Sequence, residues 1–123
     1  MVISEFNPAT GILESSFEGD VSLNEILEYI IATKKNKSFP RNLKIRTDSS
    51  KAVFDFSIHD LNAIIIENEK SLKKYDSITD AIIVSDPKTT ALAMLFQELE
   101  KNPKYKFEIF STKEAAEDWL SQV

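Results

Sequence analysis

Three features of the sequence predict a single α/β domain built on a mostly parallel sheet. Strand-like and helix-like segments alternate from Leu23 onward, the helices carry their own start signals, and Ala81-Ile82-Ile83-Val84 is apolar without alternation. A strand of that last kind is covered on both faces, as inside a parallel sheet. Alternating strands and helices in turn call for right-handed crossovers between parallel neighbours. The 123 residues suit one domain spanning 1–123.

Val2 to Phe6 and Ile12 to Phe17 read as a hairpin, because Asn7-Pro8-Ala9-Thr10-Gly11 between them supplies a turn start and a glycine for positive φ. Ser22 and Glu25 then form a capping box, ahead of a stripe of Leu23, Ile26, Leu27, Ile30 and Ile31. Leu43 to Thr47 alternates like a strand, and Asp48 to Ser57 reads as a long irregular loop of the kind that carries function. Ser57 and Asp60 cap a second helix bearing Leu61, Ile64, Ile65 and Leu72. Ile78 to Val84 is the buried strand. Asp86-Pro87 opens a third helix, with Leu92, Leu95, Phe96 and Leu99. Tyr105 to Phe110 alternates as a last strand. Ser111 and Glu114 are read as a capping box for a final helix, with Ala115, Ala116, Trp119 and Leu120 turned inward. The order is β-β-α-β-α-β-α-β-α, the first strand being antiparallel.

Composition narrows the chemistry. Without cysteine there is no disulfide, thiolate nucleophile or Cys-based metal site, and one histidine, His59, excludes a multi-His centre. Fifteen basic against twenty acidic residues give a net charge of −5, so binding of nucleic acid through bulk charge is not expected. The N-terminal residues lack a basic, apolar signal pattern and no apolar run approaches a membrane span. A cytoplasmic protein with no transmembrane segment is the expectation.

The strand ends offer Glu18 and Asp20, then Asp48-Ser49-Ser50, then Ser85-Asp86, where ligands of α/β sheets bind. Asp20, Asp48 and Asp86 together would suit Mg²⁺, whereas caps and turns place aspartate there without any metal. Phe54 and Phe56, two positions apart, point the same way if extended, to line an apolar pocket with Met94 or Phe96 or to plug the core. Ser57 at a helix start suits either an N-cap or a phosphate. No dinucleotide, P-loop or hydrolase signature occurs, and no metal or cofactor is expected.

The element order, the tail Phe110-Ser111-Thr112-Lys113-Glu114-Ala115-Ala116-Glu117-Asp118-Trp119-Leu120, the segment Ile78 to Pro87, the stretch Thr90 to Phe96 and the Phe54-Asp55-Phe56-Ser57 segment resemble the SpoIIAA-like (STAS/SEC14-type) uncharacterised bacterial proteins. The resemblance implies a STAS-type fold over nearly the whole chain. Anti-sigma-factor antagonists of that fold are phosphorylated on a serine opening the second helix, in a motif similar to Asp-Ser-Ser-Gly. Asp55-Phe56-Ser57-Ile58 keeps the aspartate and the second serine and lacks the first serine and the glycine. By position, the resemblance makes Ser57 the phospho-acceptor candidate. The expected function is therefore a non-enzymatic binding or regulatory module. It would act through residues 54–60, with Phe54, Phe56, Ser85 and Asp86 as the surface for an unknown protein partner. A carrier of a small apolar or lipid-like ligand is the alternative, a Mg²⁺-assisted enzyme the third reading, and the oligomeric state stays open.

Overall fold

The computed structural model describes every residue from Met1 to Val123. Five strands and four helices follow one another as β1 (Val2–Asn7), β2 (Ile12–Ser22), α1 (Leu23–Lys35), β3 (Asn42–Asp55), α2 (Leu61–Leu72), β4 (Ser77–Ile83), α3 (Pro87–Leu99), β5 (Tyr105–Phe110) and α4 (Lys113–Gln122). A 3₁₀ turn at Ile58–Asp60 precedes α2. The sheet order is β1-β2-β3-β4-β5. Only β1 runs antiparallel to its neighbour, as the alternation of elements requires. No helix is long and apolar enough to cross a membrane.

Each parallel strand is added on the same side of the one before, so right-handed crossovers carry α1, α2 and α3 over one face of the sheet. Phe17, Val21, Ile26, Phe54, Leu61, Ile64 and Leu92 form the largest cluster there. The fourth helix returns across the opposite face, where Ala116 and Leu120 are fully buried against Ala81 and Ile83. Lys44 Nζ donates to the Leu120 carbonyl (2.9 Å), satisfying an orphan carbonyl where the helix dipole is negative. Arg46 pairs with Glu117 at 2.6 Å. Covered by α3 through Ile82 and by α4 through Ala81 and Ile83, β4 is buried on both faces.

The local signals act largely as read. Gly11 has φ +72° in the first hairpin, and its N–H donates to the Asn7 carbonyl at 2.8 Å. Ser22 and Glu25 cap α1 reciprocally, and Asp86 accepts from the Thr89 N–H at 3.0 Å. At α4 the cap is Thr112, accepting from the Ala115 N–H at 3.1 Å, rather than Ser111; Ala115 is exposed. One side chain with no sequence signature ties the lower ends of three elements together. Arg41 donates to the Asn36, Phe39 and Lys74 carbonyls and stacks over Tyr75 at 4.3 Å.

The expected loop from Asp48 to Ser57 is instead strand as far as Asp55. Four residues of β3 (Asp48 to Lys51) match three of β2 (Ser16 to Glu18), a bulge of one residue. Before it Leu43, Ile45 and Thr47 turn toward the helices; after it Ala52 and Phe54 do, so the buried positions change from odd to even. Asp48 Oδ1 accepts from the Ser50 N–H (3.0 Å) and hydroxyl (2.6 Å), and Ser49 donates to the Ile83 carbonyl (2.7 Å). Those bonds occupy the polar groups that made the segment read as a loop.

Candidate functional site

Between the sheet and the three helices lies a cavity of about 120 Å³. It is lined mainly by apolar and aromatic side chains, among them Phe17, Phe54, Phe56, Ile64, Phe96 and Phe107. The shift in parity at the bulge is what aims Phe54 into it. Phe56 packs beside Phe54 with ring centroids 5.4 Å apart. Of the two partners expected from α3, Phe96 lines the cavity, whereas Met94 is 59% exposed and lies outside it.

One carboxyl opens into this space. Asp80 sits mid-way along β4, between Ile45 of β3 and Phe107 of β5. Its Oδ1 accepts from the Thr47 hydroxyl (2.8 Å) and its Oδ2 from the Tyr105 hydroxyl (2.9 Å). Burial pushes its pKa up to about 6, against the lowering effect of those two bonds. Asp80, Tyr29 and Tyr105 are half-buried, and all three line the cavity. The Tyr29 hydroxyl is paired with Ser15 at 2.5 Å. Burial and the neighbouring Asp80 raise the Tyr29 and Tyr105 phenols, which therefore stay protonated across the neutral range.

The residues singled out in the sequence do not form one site. Phe54 and Phe56 line the cavity. Ser85 and Asp86 line a separate, more polar depression with Ser50, Lys51 and Lys88, which Phe54 also borders. Ser57 borders neither: it is exposed, accepts from the His59 N–H (3.3 Å), and its own N–H donates to Asp60 Oδ2 (2.9 Å). It thus caps the 3₁₀ turn rather than α2 itself. Of the carboxylates considered for Mg²⁺, Asp86 accepts from the Thr89 N–H in its cap and Asp48 from the Ser50 N–H in the bulge, and neither belongs to a cluster of three metal-ligating side chains. Asp80, Thr47 and Tyr105 escaped the sequence reading. A lone aspartate inside Ile78-Thr79-Asp80-Ala81-Ile82 was the available signal, because strands buried on both faces rarely admit a charge.

No family profile matches the chain, and neither does any curated protein. A solved structure does: an uncharacterised protein of the DUF3478 family from Shewanella loihica PV-4, with a SpoIIAA-like fold. It superposes with a TM-score of 0.64 over 97% of this chain and 93% of that one. The fold is SpoIIAA-like. At 15% identity the likeness extends to architecture alone. The SpoIIAA-like arrangement, with one face roofed by α1, α2 and α3, is what encloses the cavity around Asp80.

Proposed function

We propose that this protein is a non-enzymatic binding module that holds a small, largely apolar ligand between its sheet and helices. The cavity carries this reading: about 120 Å³ lined mostly by apolar groups, with a few polar groups converging at Asp80. An apolar cavity of about 150 Å³ takes up benzene, so the space suits a single ring or a short chain. Thermal denaturation in toluene-saturated buffer tests it, because a ligand bound only by the native state raises the Tm. A rise of several degrees is expected, together with toluene contacts to Phe54 and Phe96 in NMR spectra. An unchanged Tm with no contacts overturns the reading.

The exposure of Ser57 supports a second reading, a partner switch thrown by phosphorylation there. Mass spectrometry of protein purified from its own source separates the two. A mass excess lost on denaturation favours a bound ligand, and a covalent excess mapping to Ser57 favours the switch.

A further inference from the structure

Resting on the cavity as a ligand site, we infer that its ligand is an apolar amine in protonated form, anchored by an ion pair to Asp80. A carboxylate offers about four acceptor positions. Thr47 and Tyr105 each donate to a different oxygen of Asp80, so further positions on both oxygens remain open. No lysine, arginine or histidine lines the cavity, and none of the chain's ion pairs involves Asp80. A carboxylate buried without a counter-charge is costly, and a cation brought by the ligand supplies what the chain does not.

The surroundings select for a cation rather than for another polar group. Tyr105 and Phe107 stack at 5.9 Å, and Phe96 meets both edge-on at 6.0 and 5.1 Å. Tyr105 bonds Asp80 directly and Phe107 is its neighbour across the sheet. An ammonium group is attracted by a carboxylate and tolerated among aromatic rings, while a ligand carboxylate would be repelled. The other polar liners, Thr33, Asn68, Ser71 and Thr89, carry no charge.

Binding should weaken as Asp80 is protonated near pH 6. The ionisable groups that face it are the phenols of Tyr105 on β5 and Tyr29 on α1. Glu100, just beyond α3, acts on Tyr105, and α2 contributes the neutral Asn68.

Three ring compounds of similar size test the inference by calorimetry or NMR titration at pH 7.5: benzylamine, toluene and benzoate, against the wild-type chain and Asp80→Asn. A charge-assisted hydrogen bond corresponds to about tenfold or more in affinity. Benzylamine should therefore bind wild type at least that much more tightly than toluene does. It should lose that margin in Asp80→Asn and at pH 5, while toluene binding persists and shows the variant folded. Equal affinities for toluene and benzylamine, or benzylamine binding that survives Asp80→Asn, would overturn the amine and leave the cavity reading intact. Tighter binding of benzoate would overturn it in favour of an acid. Binding of none of the three would remove both.

Discussion

Asp80 is the residue at which stability and binding pull in opposite directions. Its carboxyl accepts two hydroxyl bonds, yet burial still raises its pKa from 3.8 to about 6. At about 1.4 kcal/mol per pKa unit, the ionised form destabilises the fold by roughly 3 kcal/mol above pH 6. An isosteric amide removes the charge and keeps the shape. Asp80→Asn should therefore be more stable than wild type at pH 8 by up to about 3 kcal/mol, and close to it at pH 4. Urea denaturation at the two pH values measures the difference; equal midpoints at pH 8 would mean that the carboxylate is well solvated. Destabilised polar groups in otherwise apolar surroundings are what functional sites tend to retain. The signal at this position was present in the sequence as an aspartate among β-branched and small residues. Its hydroxyl partners were not legible, because Thr47 and Tyr105 lie on other strands and only the sheet register brings them to it.

At the scale of elements, start signals and buried patterns were readable because they are local. Ser22 with Glu25, and Asp86 before Pro87, satisfy N–H groups within three residues of themselves. The second half of β3 was illegible for an equally physical reason. Strand patterns are recognised by a period of two, and the extra residue between Asp48 and Lys51 reverses the phase in mid-strand. Deleting Ser50 would remove the extra residue and restore strict alternation, leaving Ala52 and Phe54 turned toward the helices. The deletion should therefore destabilise the domain by less than Phe54→Ala, for which a buried phenylalanine implies about 3–5 kcal/mol. Chemical denaturation of the two variants makes the comparison. A deletion more damaging than Phe54→Ala would show that β3 needs its bulge to hold Phe54 toward the helices.

For the whole molecule, the shifted carboxyls predict an acid-shifted stability profile. Burial raises Glu100 as well as Asp80, so for both groups folding favours the protonated form. Their contribution is greatest below about pH 4, the unfolded range, and is lost as the pH rises through the folded values, about 6 for Asp80. Glu25 and Asp86 act with the opposite sign. Backbone N–H bonds from Ser22 and Thr89 lower them, and their contribution is lost as the pH falls below about 4. The net charge of −5 adds repulsion as the remaining acids ionise. The Tm should therefore be higher near pH 5 than at pH 8, as calorimetry across that range would record. A Tm that climbs steadily to pH 8 would contradict the buried settings of Asp80 and Glu100.

The sequence by itself determined the class and order of the elements, the antiparallel first strand and the doubly covered strand around Ala81-Ile82-Ile83. Each follows from periodicity, capping and turn chemistry acting over a few residues. Only the tertiary structure decided that three helices share one face, that a bulge re-aims Phe54, and that Thr47, Asp80 and Tyr105 meet in a cavity. It also separated Ser57 from Ser85 and Asp86, which the sequence had grouped by their positions at strand and helix ends. Those outcomes depend on register and crossover hand, which join residues far apart in the chain and leave no local trace in it.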